Sequence, residues 1–306
     1  MRESAFIDTL RALATDPAAR GLVDDAAVLE TGGGAIVLTH DMLVEGVHYL
    51  PDDPPPDVAW KLVAVNLSDL AAKGARPMGV LLGFTLGDAE WDRAFADGLG
   101  TVLGAFGIPL LGGDTVSAPA RVLGLTAIGR AERIPPNRSG AQPGDQLWVT
   151  GTIGDAGAGL QALREKLAAP DLIERYRTPR PRLEAGERLV TLVKAMMDVS
   201  DGLLIDSRRM AEASGCRATI ELDTVPLSEA YLHHRGEARL EAATAGDDYE
   251  LLFAAAPDEA QAIHALSGEI GLPCSRIGAF SAGAGLNLTA HGAPVPLPER
   301  LGFEHG

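Results

Sequence analysis

Cysteine is almost missing from this chain. Its 306 residues include only Cys216 and Cys274, far apart and outside any CxxC spacing. That argues against a disulfide framework and a structural zinc site, and it fits a soluble protein of a reducing cytoplasm. Basic residues are also scarce, with 26 Lys and Arg against 42 Asp and Glu for a formal charge of −16. A nucleic-acid partner is not expected, because binding the phosphate backbone needs clustered Lys and Arg. No apolar run approaches the ~20 residues a bilayer requires, and the first apolar stretch, Met1 to Asp8, carries charge, so neither a membrane partner nor a signal peptide is expected. Aromatics make up only 5%.

Apolar residues, at 46%, are enough for real cores, while 36 Gly and 20 Pro suit many short connections between α and β elements. The length suggests two domains at ~100–200 residues each. Residues 1–20 read as an amphipathic helix carrying Phe6, Ile7, Leu10 and Leu13. A buried strand is expected over 35–39. A strong helix follows over 58–73, with Asp57 as N-cap, Gly74 as C-cap and Pro77 forbidding continuation. Further strands are expected at 79–86, 109–111 and 122–130, with a helix over 89–106. The Pro- and Gly-rich stretch 134–144 breaks both periodicities and reads as a linker. Beyond it come a strand at 146–150, a helix to about 166, an Arg/Pro-rich connection at 175–182, helices at 183–195 and 202–214, strands at 218–222 and 250–254, and a helix at 257–269. The expected fold class is therefore α/β (α+β): two mixed α/β domains, 1–135 and 145–306.

Aspartates recur at the edges of these elements: Asp24, Asp25, Asp41, Asp69, Asp114, Asp198, Asp201, Asp247 and Asp248. One such residue is usually a turn or a cap. Nine form a set of hard oxygen ligands, and Mg²⁺ takes one or two carboxylates and completes its shell with water and substrate phosphate oxygens. Asn66 and Asp69 lie at i and i+3 on one helix face and need partners, either a neighbouring backbone or a metal. Gly112-Gly113-Asp114-Thr115 reads either as a tight turn or as a backbone approach to an anion. Gly151 to Gly159 leaves a strand and enters a helix but matches no nucleotide-binding fingerprint, so close packing is its expected role. His40 and His48 lack a third zinc ligand. No Ser/His/Asp or Cys/His arrangement emerges, so neither a covalent nucleophile nor an obvious general base is expected.

Six segments then carry a resemblance: Val23-Asp24-Asp25-Ala26-Ala27-Val28, Thr39 through Tyr49, Asn66 through Ala72, Gly112 through Thr115, Asp198-Val199-Ser200-Asp201-Gly202-Leu203, and Gly246 through Phe253. In this order and spacing the chain resembles the thiamine-monophosphate kinases, within the aminoimidazole ribonucleotide synthetase-like ATP-binding enzymes. The resemblance implies an N-terminal domain that dimerises through its sheet and a C-terminal α/β domain completing the substrate site. It also implies ATP-dependent phosphorylation of thiamine monophosphate to thiamine diphosphate, the last step of thiamine diphosphate biosynthesis, by direct in-line transfer. Several Mg²⁺ ions would be held by Asp25, Thr39, His40 through its carbonyl, Asp41, Asp69, Asp114, Asp198 and Asp201. ATP would meet Gly113, Asp114, Arg138 and Ser200, and the substrate His48, Asp247 and Phe303. Val23 stands where the family has glycine, His40 where it has Thr or Ser, and Asp247 where Glu is common.

Other enzymes of the superfamily are the nearest alternatives. A selenophosphate synthetase would carry a reactive Cys near its N-terminus, and no Cys precedes Cys216. A hydrogenase maturation dehydratase would end in a cysteine-containing tail, whereas this chain ends Phe303-Glu304-His305-Gly306. A non-catalytic metal-binding or nucleotide-sensing protein is the reading from a different class.

Overall fold

Two sheets organise the chain in its computed structural model, which describes Arg11 and residues 15–304. The expected helix over 1–20 lies largely outside the described residues; Pro17–Leu22 within it is a short 3₁₀ segment. The first sheet has the order β1-β2-β5-β3-β4, from β1 (Ala27–Glu30), β2 (Ala35–Val44), β3 (Arg76–Leu86), β4 (Leu110–Ser117) and β5 (Val122–Ala131). Its inner face is closed by α1 (Pro55–Ala72) and α2 (Ala89–Phe106). The second sheet has the order β12-β11-β8-β10-β6-β9-β7. Its strands are β6 (Gln146–Thr150), β7 (Ala195–Asp198), β8 (Arg217–Glu221), β9 (Leu251–Ala255), β10 (Cys274–Ser281), β11 (Gly285–Ala290) and β12 (Ala293–Val295). The helices α3 (Asp155–Glu165), α4 (Pro170–Arg177), α5 (Leu183–Leu189), α6 (Leu203–Ala213), α7 (Glu229–Arg235), α8 (Arg239–Thr244) and α9 (Ala260–Ile270) complete two mixed α/β domains.

Helix α1 is the seam between them. Nearly every residue from Val58 to Ala72 is buried, because the inner face of the first sheet lies on one side and α5 and β7 on the other. That explains a segment apolar on all sides rather than along one stripe. Asp57 is not its N-cap: Pro54 holds that position without a side-chain bond and Asp57 lies in the first turn, where a carboxylate still suits the positive end of the helix. Nor is Gly74 the C-cap: Lys73 holds that position, and Gly74 follows it with a left-handed φ of 58°, donating to the Ala71 carbonyl.

Three further expectations change. The strand foreseen at 35–39 continues to Val44, carrying Asp41 within the sheet. The helix foreseen at 183–195 stops at Leu189, and Ala195–Asp198 pairs antiparallel with β9. This four-residue apolar run is too short for periodicity to separate strand from helix. Gly112 to Thr115 is no turn but the middle of the edge strand β4. Among the described residues no helix is long and apolar enough to cross a membrane.

Candidate active site

Four of the candidate carboxylates meet at the seam. Asp25 precedes β1, Asp41 lies on β2, Asp69 on α1, and Asp198 ends β7. Alternation along β2 turns Thr39 and Asp41 inward, and Thr39 Oγ1 donates to Asp69 Oδ2. Asn66 Oδ1 accepts the Asp41 N–H at 3.0 Å while its amide donates to the Leu62 carbonyl at 2.9 Å. The backbone is thus the partner that buried Asn66 requires. Ser68 Oγ donates to Asp198 Oδ2 at 2.6 Å, fastening α1 to β7.

These acids disfavour one another's charge. Burial, then the charges of Asp25 and Asp201, push the Asp41 carboxyl up to about 6. Burial, then Asp41, Asp198 and Asp25, raise Asp69 well above the usual carboxylate range against the opposing Thr39 bond. Burial and Asp25 raise Asp198 likewise, opposed by Ser68. Asp25 goes the other way: burial would raise it, but Lys73 and Arg138 outweigh burial and hold it below the usual range. Lys73 Nζ, at the end of α1, sits 2.7 Å from both Asp24 Oδ1 and Asp25 Oδ2. Arg138 donates to Asp25 Oδ1 through Nη2, and its Nε is buried without a partner.

A second group lies beside the first. Asp247 adopts a left-handed backbone (φ 71°) and its N–H donates to the Ser200 carbonyl at 2.7 Å. Its carboxylate receives Lys61 Nζ at 2.9 Å and the Tyr249 hydroxyl at 3.1 Å. Lys61 also donates to the His48 carbonyl at 3.0 Å and stands 4.0 Å from the Tyr176 ring centroid. The Phe303 N–H donates to the Asp201 carbonyl at 2.9 Å, so the C-terminal segment crosses this loop with its ring partly exposed. Asp201 itself pairs with Arg209.

The remaining candidates stand apart. His40 faces the outer side of the sheet, its Nδ1 2.9 Å from Thr126 Oγ1. Asp114 pairs in register with Gly83, which pairs with Gly124, which pairs with Met42. Paired residues share a face, so Asp114 lies on the outer face with exposed Met42, opposite Asp41 and three strand spacings away, roughly 14 Å. Gly113 cannot be replaced, since a Cβ there would come within 1.9 Å of the Leu82 carbonyl oxygen. Among the described residues no three acidic or histidine side chains form a closed metal-ligating group; what the site offers is the donor chemistry of crowded, buried carboxylates.

Reading the sequence missed Lys61 and Lys73, both almost fully buried, together with Tyr176 and Tyr249. A signal was available: two lysines in a helix with no polar face must find anionic partners inside the fold.

Residues 23–131 match the family described as AIR synthase related protein, N-terminal domain, and residues 142–291 match its C-terminal domain. The thiamine-monophosphate kinase of Caulobacter vibrioides is 42% identical over 305 residues, covering 95% of this chain and 86% of that protein. The Escherichia coli K12 thiamine-monophosphate kinase is 38% identical over 301 residues, covering 93% and 91%. Among solved structures, AaThiL complexed with AMPPCP and TMP aligns with a TM-score of 0.87 at 28% identity, covering 100% of this chain and 97% of that one. The Escherichia coli hydrogenase maturation protein HypE aligns with a TM-score of 0.74 at 23% identity, which is a likeness of fold alone.

Proposed function

The chain belongs to the thiamine-monophosphate kinase family, built from paired AIR synthase related domains, and on that premise we propose that it moves the γ-phosphoryl group of ATP onto the phosphate of thiamine monophosphate. It is a kinase whose acceptor is itself a phosphate, and the product is thiamine diphosphate, in the last step of that compound's biosynthesis. We place it in the cytoplasm, in keeping with two buried, unbridged cysteines. The observation that carries the reading is the convergence of Asp25, Asp41, Asp69 and Asp198 in a buried seam where three of them resist ionisation. Such a donor set suits several divalent cations.

Asp25, Asp41, Asp69 and Asp198 would hold Mg²⁺, with Thr39, the His40 carbonyl and Asp201 beside them. Bound Mg²⁺ supplies neutralisation of the phosphate oxygens, without which two polyanions and a ring of carboxylates would repel one another. The protein's own groups position the reactants. Arg138, with its unpartnered Nε, presents a fork for phosphate oxygens, and Ser200 completes the ATP-facing set. His48 and Asp247 line the acceptor side, with Phe303 near the loop that holds Asp201. No side chain need remove a proton, because the acceptor phosphate oxygen is already largely ionised at neutral pH, so catalysis rests on alignment and electrostatics.

A homodimer joined through the first sheet belongs to the same proposal. Its outer face and edge leave Met42, Leu81, Leu110, Leu111 and Val116 exposed, and long apolar edges of this kind seek a partner. Asp114, on that face, can then serve an ATP site only across the two copies, while Gly113 beside it lies in the row of Leu82, Leu125 and Asp41. Purified protein incubated with ATP, Mg²⁺ and either thiamine monophosphate or free thiamine tests the assignment. Thiamine diphosphate should form from the monophosphate while free thiamine remains a poor acceptor; equal use of both would overturn it.

A further inference from the structure

Helix α1 places one ammonium group where charge is expensive. Lys61 is 2% exposed, in a helix whose neighbours are Trp60, Leu62 and Val63. It remains there because three partners satisfy it: Asp247 Oδ2 at 2.9 Å, the His48 carbonyl at 3.0 Å, and the face of Tyr176 at 4.0 Å. Each partner comes from a different element, so the ammonium joins the loop after β2, the end of α4 and the loop before β9.

The consequence falls on Asp247. Its backbone is in the left-handed region, which side chains rarely adopt without support. Lys61 takes one carboxylate oxygen and the Tyr249 hydroxyl the other, so the side chain has a fixed direction while 30% of it stays open to solvent. An anchored, half-open carboxylate is prepared to accept hydrogen bonds from a ligand N–H group or to face a cationic ring. We propose that Lys61 is a positioning residue for the phosphoryl acceptor, acting through Asp247 and the His48 segment and leaving the ATP side untouched. This rests on the kinase reading above and adds to it a specificity-determining residue that presents an anion to a nitrogen-rich, positively charged acceptor.

A double-mutant cycle on the full-length protein tests it, using Lys61→Met, Asp247→Asn and the double variant, with thiamine monophosphate and ATP varied separately. Lys61→Met should raise KM for thiamine monophosphate about 10- to 100-fold, as loss of alignment does, with KM for ATP unchanged. The double variant should lose no more than the worse single one, because both act through one carboxylate. Additive losses, or equal rises in both KM values, would overturn the proposal and leave Lys61 a packing residue. If Lys61→Met does not fold, Lys61→Arg gives the second reading: a folded Arg variant with unchanged acceptor KM would overturn it, and an acceptor-only defect would sustain it. Wild-type protein that turns over no thiamine monophosphate would instead overthrow the kinase reading, and this proposal with it.

Discussion

Asp69 shows what a residue gives up in stability for a site. Its carboxylate is buried against Asp41, Asp198 and Asp25, with only the Thr39 hydroxyl in its favour. Asp69→Asn keeps the shape and removes a like charge, so without Mg²⁺ the variant should be more stable than wild type by roughly 1 kcal/mol at the dielectric of a partly wet site. With Mg²⁺ and ATP the order should reverse, since an amide is the weaker ligand, and turnover should fall at least about a hundredfold. Thermal melts in both conditions, read beside activity, check this; unchanged turnover would reduce Asp69 to a helix residue. Asp248 makes a separate test by pH. Burial, with Asp155 and Glu250 nearby, raises its carboxyl well above the usual range despite the Gly154 N–H it accepts at 2.8 Å. A raised native value means the folded state holds a proton that the unfolded chain releases, so stability is full at low pH and declines as pH climbs through the raised value. Asp248→Asn should therefore flatten melting temperature against pH, gaining at pH 8 and gaining nothing near pH 3.

At the scale of elements, α1 does the joining, and Lys73 is its last fastening. The ammonium is fully buried against Asp24 and Asp25, whose side chains are 4% and 3% exposed. Lys73→Met leaves two buried carboxylates one cation short, with Arg20 on Asp24 and Arg138 on Asp25 as their remaining ion pairs, and denaturant titration should find a loss of about 3–5 kcal/mol; a loss below about 1 kcal/mol would mean that the two arginines suffice to neutralise the pair. The sequence disclosed α1 clearly, because Pro54 to Asp57 starts it and Gly74 with Pro77 stops it. The helix over 89–106 and the strand at 122–130 were equally plain from periodicity. What stayed hidden had physical causes. Gly112-Gly113 reads as a turn because glycine usually serves one, yet here the absence of a Cβ lets β4 lie against the Leu82 carbonyl as an edge strand. The short helices α4, α7 and α8 carry too few residues for a helical period to declare itself. The acid cluster was legible as a series of motifs, whereas Lys61 and Lys73 belong to no such motif and gain their meaning only from a helix buried on nearly every side.

The whole molecule leaves its first sheet half covered. Helices α1 and α2 close the inner face, while the outer face carries Met42 at 51% exposure and Leu81 at 39%, and the whole length of β4 is exposed. Register aligns His40, Thr126, Leu81 and Gly112 in one row and Met42, Gly124, Gly83 and Asp114 in the next. Apolar and functional residues thus share a surface that a single chain cannot close. Leu81→Glu puts a charge at the middle of that surface without touching the inner core, and an outward substitution of this kind should alter folding stability by no more than about 0.5 kcal/mol. Sedimentation equilibrium at micromolar protein should then find wild type at twice the 31.9 kDa chain mass and the variant at the chain mass itself. Activity should fall with the dimer, because Asp114 lies on the opposite face from Asp41 and reaches a phosphate site only across the symmetry axis. A wild-type monomer with full turnover would separate Asp114 from the site altogether and confine phosphoryl transfer to the seam around α1.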